Sequence, residues 1–177
     1  LSGPGIITFT NETDAEPTVS ANTNGTYEIK VTATDYAGNS SFDTIPFIWD
    51  TIAPGTPEGI APSVSAPTYS TDGQPELTWN SISDSDYYEV RVDQGSGWGS
   101  WIQTNQTSYT PGTPLNDGTS QFEVVAWDNA GNYTDSGTAS VVIDKTPPAI
   151  TNAGEIWETN IPLGISAGIS ESNSYSL

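Results

Sequence analysis

Acidic and amide side chains recur at one kind of turn, and they are the first residues in this 177-residue chain that could bind something. Asp35-Tyr-Ala-Gly-Asn39 is echoed by Asp128-Asn-Ala-Gly-Asn132, and Asp50 and Asp144 each open a Pro-marked junction. Calcium takes about six to eight oxygen ligands from carboxylates, carbonyls and water, and a junction can supply them from two folded units at once. Asp35, Asn39, Asp50, Asp128, Asn132 and Asp144 are therefore candidate calcium ligands. The alternative is that Asp35 and Asp128 only accept hydrogen bonds from backbone amides of their own turns. Asp84-Ser-Asp86 is a weaker candidate of the same kind.

Aromatic residues form the second set. Strand alternation puts Trp127 on an outer face beside Tyr87 and Arg91, and Trp98 and Trp101 fall in a nearby loop, Gly97-Trp-Gly-Ser-Trp101. Flat apolar rings can stack on the CH-rich face of a sugar while neighbouring polar groups take its hydroxyls. Tyr87, Trp98, Trp101 and Trp127 are candidate glycan contacts on that ground. The alternative is a satellite cluster that shields the sheet and fixes the loop.

Catalysis finds no support. The chain has neither His nor Cys, so no Ser-His-Asp or Cys-His arrangement can form, and no Gly-rich phosphate loop joins a strand to a helix. Three Lys and Arg against 22 Asp and Glu give a net charge of −19. That balance excludes a nucleic-acid partner, since phosphate binding needs a basic surface. No apolar run resembles a membrane span or a signal peptide, so no membrane insertion is expected. Met is absent and the first residue is Leu, which reads as an internal or processed piece of something longer. Five Asn-x-Ser/Thr sequons are matched in a chain so rich in Ser and Thr that several arise by chance.

The elements that must hold these residues are strands. With 17 Gly, 13 Pro and no sustained helical periodicity, the composition suits many short strands joined by turns. Tyr27, Ile29, Val31 and Ala33 alternate with Glu28, Lys30 and Thr32; Phe122, Val124 and Ala126 form the inner set of a second such strand. Gly25 to Asn39 and Gly118 to Asn132 are copies of one unit, each followed by a strand and a junction. The repeat of about 90 residues fits one β-sandwich domain. The expected fold is all-β, a tandem of sandwiches.

Residues 53–145 resemble a fibronectin type III domain across their whole length. The resemblance rests on Leu77-Thr-Trp79, Tyr88-Glu-Val-Arg-Val92, Thr107-Ser-Tyr-Thr110, Leu115, Gly118 and Phe122-Glu-Val-Val-Ala126. It implies that Trp79 and Tyr88 pack in the core, with Phe122 standing where the family usually has Tyr. Residues 1–52 resemble the later half of an Ig-like domain of the PKD-like kind, on Leu1 to Phe9 and Gly25 to Asn39. Residues 146–177 resemble an early half, with strands expected over Ile161 to Ile169 and from Ser174. One complete central domain is thus flanked by two partial ones. Three explanations fit: a fragment of a longer repeat array, closure within one chain, or head-to-tail completion of one chain by the next through strand addition. The resemblance implies a secreted or cell-surface location, an adhesin-like stalk or fibre, and neighbouring Ig-like domains or identical subunits as partners. In some bacterial adhesins with similar turns, calcium at the junctions stiffens the array. The rival reading is a carbohydrate-binding accessory module, distinguished by whether its Trp residues form an exposed coplanar set.

Overall fold

The computed structural model of the chain describes residues 2–11, 16–62, 68–151 and 168–169, and every regular element among them is a β-strand. Near the amino end, β1 (Ile7–Thr10) pairs antiparallel with β2 (Thr18–Ala21). Next comes a long hairpin of β3 (Gly25–Thr34) and β4 (Ser40–Trp49). The central region contains β5 (Tyr69–Ser70), β6 (Leu77–Thr78), β7 (Tyr87–Asp93), β8 (Ile102–Thr104), β9 (Ser108–Tyr109), β10 (Gly118–Trp127) and β11 (Tyr133–Ile143). Beyond the second junction, β12 (Ile150–Thr151) pairs antiparallel with β13 (Gly168–Ile169). The rest of the strand expected over Ile161 to Ile169, and that expected from Ser174, lie outside the described residues.

The central region is a two-layer sandwich. Its larger sheet has the order β5-β11-β10-β7-β8, antiparallel throughout except for the parallel β5–β11 pair. The β6–β9 pair, extended by the Ala61↔Thr78 bridge, forms the opposite layer. Between them lies one core of Leu77, Trp79, Tyr88, Val90, Leu115, Phe122, Val124, Ala126, Ala139, Val141 and Ile143. Period-two alternation explains it: alternate residues of β10 and β7 point into this core, although Val125 between two of them is buried as well. Trp79 and Tyr88 meet edge to face at 5.4 Å, and the Tyr88 hydroxyl accepts the Ile82 amide at 3.0 Å. A buried phenol needs that partner. Phe122 is fully buried, so a hydroxyl at its place would have to find one too.

The repeat extends to backbone register. Gly25 sits opposite Trp49 and Gly118 opposite Ile143. Tyr27 faces Phe47 as Ser120 faces Val141, and Ile29 faces Ile45 as Phe122 faces Ala139. The second copy adds an irregularity between Glu123 and Val125 that the first lacks; a β-bulge of this kind inserts one residue and sharpens local twist.

Burial does not repeat. Val124 is 1% exposed and its counterpart Val31 is 59% exposed; Ala139 is 1% exposed and Ile45 is 50%. Among the described residues, only the start of the amino-terminal face is covered. Ser2 bridges to Glu28, and Gly3 lies so close to the Tyr27 ring that a Cβ there would overlap it. Tyr27 and Ile29 are buried accordingly.

Candidate functional site

Both Asp-x-Ala-Gly-Asn turns have one construction. Asp35 Oδ1 accepts the amides of Ala37 and Asn39 at 2.9 Å each, and Oδ2 accepts the Asn39 side-chain amide at 2.9 Å. Asp128 Oδ1 accepts Ala130 and Asn132 at 2.8 and 2.9 Å, and Oδ2 accepts Asn132 Nδ2 at 2.9 Å. Gly38 and Gly131 close the turns at φ +89° and +86°, where a side chain would be strained. Donors aimed at a carboxylate favour its charged form. Asn39 and the backbone amides of Asn39, Ala37 and Gly38 hold the Asp35 carboxyl below its ordinary value. Burial pushes Asp128 up, but the donors from Asn132, Ala130 and Gly131 outweigh it and leave it lowered as well.

One turn also touches something outside itself. Asn132 Nδ2 donates to the Asp50 carbonyl at 3.2 Å, and the Thr134 hydroxyl donates to the Pro54 carbonyl at 2.7 Å. Gly55 N adds a longer contact to Asp84 Oδ1 at 3.3 Å. The linker leaving the first repeat is therefore held by the second. It is held from behind too: Asp50 Oδ1 accepts Asn24 Nδ2 at 3.1 Å and Ile52 N at 3.0 Å, and Thr51 Oγ1 donates to Asn24 Oδ1 at 3.0 Å. Asp50 thus has its side chain bound to one repeat and its carbonyl to the next.

The second junction reproduces the rear clasp with different residues. Asp117, like Asn24, directly precedes the glycine that opens the long strand. Its Oδ2 accepts the Thr146 hydroxyl at 2.9 Å, its Oδ1 the Lys145 amide at 3.3 Å, and Lys145 Nζ reaches the Leu115 carbonyl at 2.7 Å. The Thr146 hydroxyl, with help from Lys145, keeps the Asp117 carboxyl below its usual value. Asp144 accepts Thr146 N at 3.1 Å.

The six residues read as calcium ligands are thus placed as turn and linker fasteners, with Asp50, Asp128 and Asn132 brought together and Asp35, Asn39 and Asp144 at other places. Among the described residues no three acidic side chains gather to hold a metal ion. The Asp35 and Asp128 oxygens accept N–H donors of their own turns.

The outer sheet face carries the aromatic residues. Tyr87 and Trp127, paired across β7 and β10, stack at 5.9 Å and 9°, and Tyr133 meets Trp127 at 4.7 Å. Trp127 Nε1 donates to Glu89 at 3.0 Å. Arg91 ion-pairs with Glu123, its Nε donating at 2.6 Å, and lies over Trp98 at 4.9 Å and Trp101 at 4.2 Å. The four expected aromatic residues share one side of the sheet, yet as two groups, a ring ladder and an arginine clamp. Tyr133, at 53% exposed, offers the most open ring of the ladder. Sequence reasoning passed over Asn24, Asp117, Thr134 and Tyr133. The first two could have been found by aligning the repeats, since both stand just before the strand-opening glycine.

A paired-sheet core with a buried Trp–Tyr contact and a repeated Asp-Asn turn defines a class, the immunoglobulin-like β-sandwich. Residues 64–145 match the family model of a bacterial Ig-like domain, and residues 3–51 match the model of another bacterial Ig-like domain. The chain belongs to the bacterial Ig-like repeats, with a fibronectin type III-like architecture. Fibronectin(III)-like modules of CbhA from Clostridium thermocellum align with a TM-score of 0.51 at 18% identity, covering 81% of this chain and 81% of that one. A Fn3-like protein from the same organism is 27% identical over 54% of this chain and 99% of that one, with a TM-score of 0.39. Exoglucanase B of Cellulomonas fimi is 35% identical over 133 residues, which is 68% of this chain. The chain spans only 12% of that relative's length.

Proposed function

We propose that the chain is a non-catalytic, stiff spacer in a protein that works outside the cell, setting the distance between a binding or catalytic part and its anchor. The observation that carries this reading is the double hold on Asp50, by Asn24 on one side and Asn132 on the other. A linker fastened only by its covalent bonds lets neighbours swing; one with hydrogen bonds into both neighbours and a proline at Pro54 loses that freedom. The relative named an exoglucanase, of which the matching region is a small part, supports an accessory role in a larger secreted protein. A surface stalk or an adhesin-like fibre built from the same units uses the joint in the same way, and completion of one chain by the next would lengthen it.

Glycan binding is the second reading, and Tyr133 is the observation that favours it. The ladder weakens it, because Tyr87 and Trp127 cover each other's faces rather than lying coplanar. A glycan array probed with the full chain tests it, and binding abolished by Tyr133→Ala would establish it.

The spacer reading is tested by distance measurement. The chain has no Cys, so Thr44→Cys and Thr119→Cys place two spin labels without background. A narrow distance distribution that broadens on Asn132→Ala is expected. A broad distribution in the parent would overturn the reading.

A further inference from the structure

No layer among the described residues stands over the outer half of the apolar face of the amino-terminal hairpin, and its register says what kind of layer fits. In the central sandwich the equivalent positions of β10 and β11 are covered by the early strands of the same domain, which bring Leu77 and Trp79. Val31 and Ile45 stand where Val124 and Ala139 stand, and they face solvent. The surface therefore matches a strand with large apolar residues at every second position, entering from the opposite side.

This chain contains such a segment. Ile161, Leu163, Ile165, Ala167 and Ile169 alternate with Pro162, Gly164, Ser166 and Gly168. At the far end of that stretch, β13 pairs antiparallel with β12, just as Ala61 pairs antiparallel with Thr78 at the entry to the central sandwich. The carboxyl-terminal stretch thus begins with the pairing of an early sandwich half.

We propose that the apolar face of β3 and β4, centred on Val31 and Ile45, is a docking surface for residues 146–177 of a second copy of this chain. The proposal deepens the spacer reading by naming the surface through which units join. Head and tail are different surfaces, so the contact is heterologous, and where its rotation does not close it repeats into an open series. The net charge of −19 opposes it, so salt should favour association.

The experiment is molar mass by light scattering on the full chain, across concentration and at low and high NaCl. The expected result is a mass that keeps rising with concentration. Val31→Asp should return it to one chain, and so should Ile165→Asp from the other side. Mixed together, these two variants each keep one intact surface, and should form a species of roughly two chains that grows no further. Val31 is exposed, so its variant should keep the parent's thermal transition, which separates lost docking from lost folding. Three results would overturn the proposal: one chain at every concentration, growth that persists in Val31→Asp, or association that persists in Ile165→Asp, which would mean two hairpin faces meet. The spin-label distance within the Val31→Asp chain reports on the stiff joint independently, so either idea can fail alone.

Discussion

Val31 and Val124 occupy the same place in two copies of one hairpin, and one is open to water while the other is sealed. Their strands share residue pattern, closing turn and the register of their opening halves, so none of these decides burial. What differs is the second layer: β6 and β9 stand over β10 and β11, and nothing among the described residues stands over the outer half of β3 and β4. Strand alternation marks a face as able to be buried, and a separate segment determines whether it is.

Substitution should separate the copies most strongly at that pair. Val124→Asp puts an unpaired carboxylate into a sealed core and should lower the stability of the central sandwich by about 4 kcal/mol or more. Val31→Asp in the isolated chain should change it by no more than about 0.5 kcal/mol. Urea unfolding followed by Trp fluorescence measures both; equal losses would mean that the first face is covered after all.

The turns sharpen the same contrast at a smaller scale. Asn39 and Asn132 both fasten their own Asp, and Asn132 alone reaches across the joint. Asn132→Ala should cost about 1–2 kcal/mol and Asn39→Ala about half of that, at roughly 1 kcal/mol net per hydrogen bond. On the outer face, Tyr133→Leu removes one ring contact and should cost about 0.5–1.5 kcal/mol in the same assay.

The smallest expected effect is a change in acid sensitivity. The Asp128 carboxyl is lowered from 3.8 in the folded chain, so between that lowered value and 3.8 the unfolded chain binds more protons. Its contribution is fully present above 3.8 and fades as pH falls through the folded value. Asp128→Asn should flatten that limb of the stability–pH curve and leave the neutral region without further slope. Asp35→Asn should leave the acid limb of the central sandwich unaltered, because that turn belongs to the other copy.

Much of the fold was legible because alternation and repetition are local signals. Trp79, Tyr88 and the inner face of β10 follow from period two and the resemblance to fibronectin type III domains, and Asp35 and Asp128 announce their turns through Ala-Gly-Asn. The joint was less legible. Asn132 to Asp50 and Asn24 to Asp50 are contacts between segments far apart in sequence, and nothing in either segment alone specifies the partner. Charge density singled out these positions, but the amides that bond their carboxylates are set by the path of each turn and linker. The aromatic residues were assigned to the correct side, but their mutual stacking depends on which strand lies beside which, and the seat of Arg91 between Trp98 and Trp101 depends on a loop path that composition does not encode.

The parallel pairing of β5 with β11 has a mechanical consequence. Val142 N donates to the Thr68 carbonyl at 2.8 Å and Asp144 N to the Ser70 carbonyl at 2.9 Å, joining an early strand of the central domain to its last one side by side. Tension applied along the chain draws β5 toward its start and β11 toward its end, in opposite senses along one axis. The bonds between them are then loaded in shear and must fail together, rather than peeling apart one at a time as an antiparallel hairpin pulled from its open end would. A domain wired this way resists stretching along its length more than its few paired residues suggest.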